Sequence, residues 1–464
     1  MIQLKKIVEA AKNNRLLLAA AGAFVLIAAT VTVHWWRVHP GISAPGRISA
    51  VVSVLLFSGV CVLFLRHWIS DWQAAGNTGE DRKVREKIRV FFLVRVFLSL
   101  LALDVVIVLF VYVLRIALNG QSSFGDSLVF WTFTDSQHYL AIAKDWYLSE
   151  GSIDRLVQLV FLPGYPLIIR AANLIVHNWL YAGMLVSAVA FAGAGTVLYC
   201  LAREDMDHQT ALRALRYACL LPGAFFYAAP MSESLFLLLS VSCVYLTRKK
   251  LWLHACILGG LASFTRSLGL MLVVPVGYEF LTDTLKHGLR GMNPLRRAAQ
   301  FALLLLIPAG FGAYCLICRD VSGNPFQWMI YQREHWNQQL GLFFHTAAYQ
   351  TNNAIRDYRN QDLKLTFGLW LPNMLCSFSA LAVMASSVRM LRASYGAYFI
   401  VYYAVAIGAT WLLSAPRYLL VLFPVSFGMA ELTRDRRIDV LLTILTTIAG
   451  VLYILLFAAR WQVW

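Results

Sequence analysis

The chain has 464 residues, 59% hydrophobic and 14% charged, with 40 Lys plus Arg against 24 Asp plus Glu and a formal charge of +16. A soluble domain carries about a quarter charged residues, so this composition excludes an ordinary soluble protein. Apolar runs of about 18 to 20 residues recur, each long enough to cross ~30 Å of hydrocarbon, and the ten-residue alternation of a membrane β-barrel is absent. The chain reads as an all-α polytopic membrane protein. Its Lys and Arg sit in short loops between apolar runs, the positive-inside pattern, so the expected partners are membrane lipids and lipid phosphate, with no nucleic acid.

The first predicted span runs from about Leu16 to Val33 behind a basic start. It ends in His34-Trp35-Trp36-Arg37 without a small-residue cleavage site, which reads as a retained helix and not a removed signal peptide. A second span covers Ala50 to Leu65, and the charged stretch from Glu80 to Lys87 is placed in the cytoplasm. The third span, Val90 to Leu118, then runs outward and puts an outer loop, residues 119–156, on the far face. Val157–Ile175 contains Pro163, Gly164, Pro166 and Arg170 and is read as a helix that does not cross. If it crossed, the basic clusters Arg248-Lys249-Lys250 and Arg290 to Arg297 would fall outside, against the charge bias. The expected result is about thirteen transmembrane helices with juxtamembrane helices on the outer face. The boundaries are 1–89 for two N-terminal helices and a cytoplasmic loop, 90–318 for a core, 319–367 for a large outer loop, and 368–464 for the C-terminal helices.

This topology gathers Asp135, His138, Glu233, Arg266, Arg417 and Tyr418 on the outer turns. Ionisable residues near membrane depth are costly and are functional candidates by default. Each also has a plain reading. Asp135 could cap the helix that starts near Ser136, Glu233 could answer a helix dipole, and the arginines could snorkel to headgroups. What favours function is their convergence on one face. A carboxylate can take a proton from a hydroxyl while guanidinium groups hold a departing phosphate, and in such a place the phosphate belongs to a lipid.

The stretch Thr134-Asp135-Ser136-Gln137-His138-Tyr139-Leu140-Ala141-Ile142-Ala143 resembles the W-D-x-x-H-Y/F-L-x-I-A segment of the PIG-V family, the GPI mannosyltransferase 2 type. Phe161-Leu162-Pro163-Gly164-Tyr165-Pro166-Leu167 is similar to its F-F-P-L-Y/F-P-L segment. Ser232-Glu233-Ser234-Leu235-Phe236, Thr265-Arg266-Ser267-Leu268-Gly269 and Pro416-Arg417-Tyr418 resemble its S-E-S-L-F, T-R-S-N-G and P-R-Y, in the same order. The resemblance implies a GT-C glycosyltransferase fold, a site on the outer face, and inverting transfer of a sugar, mannose in the family, from a polyprenyl-phosphate donor to a glycan or glycolipid acceptor. It implies Asp135 as the general base. Arg266, Arg417, His138 and Tyr418 are assigned to the donor phosphate, and Tyr139, Tyr165, Glu233 and Trp336 to substrate. The chain departs from the pattern at Thr134 for Trp, Trp146 for the Gly before Tyr147, Gly164 for a bulkier residue and Leu268 for a polar one. A prokaryotic homologue in a bacterial inner membrane, facing the periplasm, fits these departures.

A transporter or flippase of lipid-linked glycan is the alternative, since it too needs arginines near a phosphate. No internal repeat supports it. A phospholipid-modifying transferase with a similar site is a third reading. No cofactor or metal is expected: Asp135 and His138 are too few ligands, no Asp-x-Asp pair occurs in the outer loops, and Cys315-Leu-Ile-Cys318 is a lone pair at the end of a span. The segment from Arg319 to Thr366, with Trp328, Tyr331, His335, Trp336 and Tyr349, either closes over the acceptor or lies as an amphipathic helix at the headgroups.

Overall fold

The computed structural model of the chain describes residues 2–75, 88–120, 123–147, 157–287 and 294–463. The charged stretch expected in the cytoplasm, Glu80 to Lys87, lies outside the described residues, as do 288–293 of the basic loop, 121–122 and 148–156 around the Asp135 helix, and Trp464.

Three long apolar helices come first, α1 (Ile2–Val38), α2 (Ala44–Ala75) and α3 (Val90–Asn119). Helix α3 is Val, Leu, Ile and Phe on every face, the pattern of a helix surrounded by apolar groups. It stops at Gly120, whose φ of 64° is the left-handed turn that glycine takes without strain. Short helices α4 (Phe124–Val129) and α5 (Ser136–Asp145) follow. Helix α6 (Gly164–Val176) has 13 residues, about 20 Å at 1.5 Å per residue, which is too short for ~30 Å of hydrocarbon.

The centre of the bundle is α7 (Trp179–Ala202), packed against α3, α6, α8 (His208–Leu220) and α9 (Glu233–Arg248). Next come α10 (Trp252–Thr265), α11 (Val273–His287), α12 (Pro294–Ala302) and α13 (Leu306–Ser322). Helices α10 and α13 touch backbone to backbone: a Cβ on Gly310 would collide with the Gly260 carbonyl oxygen. The chain continues through α14 (Gln327–Trp336), α15 (Phe343–Arg359) and α16 (Leu371–Ser387). It ends with α17 (Ala393–Ala406), α18 (Ala415–Leu420), α19 (Pro424–Leu432) and α20 (Arg436–Ala458).

Seven of the described helical segments are long and apolar enough to cross a membrane, against the thirteen crossings expected. The six others fall on α8, α9, α10, α11, α17 and α19, of 13, 16, 14, 15, 14 and 9 residues. Helix α10 stops at Arg266, which bonds Glu233 and Ser232 across the bundle, and the chain passes through the 3₁₀ turn Ser267–Leu272 into α11.

Two features outside the central bundle place the site. Helix α2 packs on α15, with Thr351 Oγ1 donating to Ser49 Oγ at 2.8 Å and the Phe57 and Phe343 rings 4.5 Å apart. The turn before α15 is tied to the stretch before α18: Gly341 N–H donates to Gly408 O at 2.7 Å and Thr410 N–H to Gln339 O at 2.9 Å. Buried tyrosines then hold α18 from beneath. Tyr227 donates to Leu420 O at 2.9 Å and Tyr402 to Tyr418 O at 3.0 Å.

Candidate functional site

Asp135 is the residue before the first turn of α5, but its side chain caps no backbone N–H. It reaches Arg417 instead, 282 positions away, at 2.8 Å from Nη2. The residue before it, Thr134, has a φ of 65°, which is a true outlier for a β-branched side chain and costs ~1–3 kcal/mol. That left-handed residue turns the chain immediately ahead of Asp135.

Arg417 comes from α18 and is buried together with Glu233, the first residue of α9. Its Nε lies 2.9 Å and its Nη2 2.8 Å from Glu233 Oε1. Arg266, where α10 ends, brings Nη1 to the same Oε1 at 2.7 Å and to Ser232 Oγ at 3.1 Å. Glu233 therefore holds both guanidinium groups through one oxygen, while its buried Oε2 has no hydrogen-bond partner. Two acids and two arginines make a neutral centre. Asp135 is its exposed member, with 30% of its side chain accessible against none for Glu233.

The remaining expected residues divide into two groups. Tyr418 lies under Arg266, with the guanidinium carbon 5.4 Å from the ring centroid. Tyr139 bonds Ser232 Oγ at 2.9 Å, and burial pushes its phenol up from the ordinary value. His138 lies flat on Phe161, centroids 4.7 Å apart, and Trp336 meets the same phenylalanine edge-on at 6.2 Å. Burial lowers the His138 pKa, with the Asp135 charge opposing, so its ring is neutral at neutral pH. Tyr165 stands one layer behind the ion pairs, 5.5 Å from the Tyr139 ring, and is fully buried. Its hydroxyl is committed to Gly183 O at 2.9 Å and Ser187 Oγ at 2.7 Å.

The structure gives a reason for the departure at Gly164 and none for the one at Trp146. A Cβ at Gly164 would lie 2.5 Å from Thr265 Oγ1 and 2.9 Å from Thr265 Cα, so the glycine lets α6 approach the residue before Arg266. Trp146 takes a φ of 63°, the conformation that a glycine at this place would adopt freely. Sequence reasoning left out Ser232 as a bonding partner, Phe161 as the plate under His138, and Phe226, whose ring lies 5.4 Å from the Arg417 guanidinium carbon. Ser232 could have been noted from its place just ahead of Glu233. The aromatic contacts carry no local signal.

Near Asp135, the side-chain polar atoms of Trp131, Thr134 and Ser136 are buried without partners, as is Glu233 Oε2. Buried polar groups are nearly always bonded, so these atoms hold bonding capacity that the protein itself does not fill. Among the described residues, no group of three or more His, Cys, Asp or Glu is placed to hold a metal ion.

Fold and centre together define an all-helical integral membrane protein with a four-charge site, Glu233 and Arg417 buried, Arg266 nearly so and Asp135 accessible. No protein-family model matches the chain. Human GPI alpha-1,6-mannosyltransferase 2 is 31% identical to it over 218 residues, 41% of this chain and 42% of that protein, and bears out the resemblance read from the sequence. The chain thus matches less than half the length of that relative. Among solved structures, ArnT from Cupriavidus metallidurans bound to undecaprenyl phosphate is similar at 14% identity and a TM-score of 0.47, over 76% of this chain and 64% of that one. The archaeal oligosaccharyltransferase AglB from Archaeoglobus fulgidus, in complex with an inhibitory peptide and a dolichol-phosphate, is similar at 14% identity and a TM-score of 0.39, over 79% and 56%.

Proposed function

We propose that the protein is an inverting glycosyltransferase that moves a sugar, mannose by analogy with the human relative, from a polyprenyl-phosphate donor to a hydroxyl of a lipid-linked or cell-envelope glycan. The site faces the outside of the membrane, as the distribution of Lys and Arg supports. The observation that carries this reading is the 2.8 Å contact between Asp135 and Arg417, with Glu233 holding Arg417 and Arg266 from behind.

The chemistry follows from that arrangement. The donor phosphate competes with Asp135 for the Arg417 fork, because guanidinium binds phosphate and carboxylate in the same planar way. Asp135, released by the phosphate, takes the proton of the acceptor hydroxyl. The hydroxyl oxygen forms a bond to the sugar C1 as the bond from C1 to the phosphate oxygen breaks. Polyprenyl phosphate leaves with its new charge against Arg266 and Arg417. Glu233 is the anchor: it keeps both arginines aimed while its own carboxylate stays buried. His138, neutral, and Trp336 flank Phe161 and offer flat faces for sugar rings.

The test is transfer from radiolabelled mannosyl polyprenyl phosphate to a glycan acceptor by purified protein in detergent. Wild type should form product, which cannot come from a flippase, since translocation makes no glycosidic bond and detergent leaves no second compartment. Asp135→Asn should lower turnover by about 10²–10⁴, the contribution of a general base, with unchanged expression and melting. Turnover of that variant at the wild-type rate removes Asp135 from the role.

A further inference from the structure

A second pair of arginines meets at the Asp135 end of the bundle. Arg115 lies in the last turns of α3, and Arg460 follows the end of α20. Both guanidinium groups ride on one ring: their central carbons lie 4.4 Å and 5.6 Å from the centroid of Phe130. Among the described residues, no carboxylate pairs with either of them. This is unlike Arg266 and Arg417, whose charges are cancelled within the site.

Arg115 does not simply reach for solvent, while Arg460 is exposed and closes the pair from the outside. Arg115 is 7% exposed, whereas a snorkelling arginine keeps its head in water. Its Nη1 is held by Ala458 O at 3.2 Å, which orients the fork, while its Nε is buried with no partner. Arg460 has a φ of 55° at the residue where α20 turns off, a place normally filled by glycine. A buried guanidinium group without a counter-charge is costly, and two on one ring repel. A phosphate, with oxygens matched to the planar fork, relieves both.

We infer that Arg115, Arg460 and Phe130 form a second phosphate-binding site that takes the headgroup phosphate of an anionic lipid. The site stands on its own geometry and does not require the sugar-transfer reading. It is nonetheless joined to the four-charge centre. Phe130 stacks on Phe133, two residues before Asp135, and packs at 4.9 Å on Phe457. Phe457 lies 6.0 Å from Phe226, the ring beside Arg417. A lipid held here would sit beside the Asp135 stretch.

The experiment is native mass spectrometry of the full chain in neutral detergent with phosphatidylglycerol, with diacylglycerol of the same tails, and with inorganic phosphate. Wild type should retain phosphatidylglycerol and not diacylglycerol. Arg115→Gln with Arg460→Gln should lose the adduct at least fivefold, and a control that removes the same charge elsewhere, Arg319→Gln with Arg359→Gln, should keep it. Arg460→Gly guards against misfolding, since glycine suits that backbone: it should melt no lower than wild type and still lose the adduct. Competition by inorganic phosphate alone would support the site with a soluble anion as its ligand. Equal retention in all variants, or equal loss in the site pair and the control pair, overturns the assignment in favour of diffuse surface charge.

Discussion

Helix α9 carries an ion-pair centre at each end, and the two centres are built from the same parts. At one end stand Glu233, Asp135, Arg266 and Arg417; at the other, Asp205, Glu279, Arg248 and Arg392. The helix has 16 residues, so about 24 Å of rise separates them. The Arg248 end leaves no buried carboxylate oxygen without a partner. Arg392 grips Glu279 with two nitrogens, Nη2 at 2.8 Å from Oε2, and Ser394 adds a bond of 2.6 Å to the other oxygen. Asp205 takes both Arg248 and the Tyr395 hydroxyl. Arg248 and the bond from Tyr395 hold the Asp205 pKa down against the opposing effect of burial. No oxygen of Asp205 or Glu279 is left buried without a partner, whereas Glu233 Oε2 is. Closed networks stabilise a fold. Open ones keep bonding capacity for something that arrives, and that difference separates a structural clasp from a site when the residue types are identical.

Substitutions that treat the two ends alike can break this comparison. The largest effect is expected from Arg417→Lys. An ammonium group cannot hold Asp135 and Glu233 in one plane, so transfer should fall by about 10²–10³, as on losing a donor to a developing anion, with little change in melting. If that variant melts early and its surviving molecules turn over normally, the Asp135 end is a clasp after all. Glu279→Gln should do the reverse. Glu279 is nearly buried but Arg392 is a third exposed, so losing the charge should cost about 1–2 kcal/mol of stability, read as a lower unfolding midpoint, while transfer per folded molecule stays at the wild-type level. The smallest effect concerns His138. Burial lowers its pKa below the ordinary 6.5, so the unfolded chain binds that proton first. Above pH 6.5 His138 then makes no difference to stability, and as the pH falls below 6.5 it takes stability away. His138→Phe should therefore match wild type in melting at pH 8 and exceed it at pH 5.5. A constant gap at both values would refute a neutral ring.

The membrane class, the short helix near Gly164 and the charged residues of the site were legible because each leaves a local mark. Apolar length reports the surrounding solvent, Pro and Gly report a break in a helix, and an acid or arginine beside an apolar run reports a cost that something must offset. Five short stretches also sufficed for the resemblance to GPI mannosyltransferase 2. The number of long helices was less legible: α10, for one, stops at Arg266, whose partners Ser232 and Glu233 lie on another segment.

By itself, then, the sequence determined an all-helical membrane protein and named Asp135, Glu233, Arg266 and Arg417 as residues to be explained. Tertiary structure alone decided that Glu233 is the hub of the two arginines, that the Tyr165 hydroxyl turns back into the bundle, and that Arg115 and Arg460 share one ring. The physical reason is range. Helix formation and burial in lipid depend on residues within a turn or two, whereas a hydrogen bond between positions 135 and 417 exists only once packing has brought two distant segments within 3 Å and removed the water that would otherwise satisfy them.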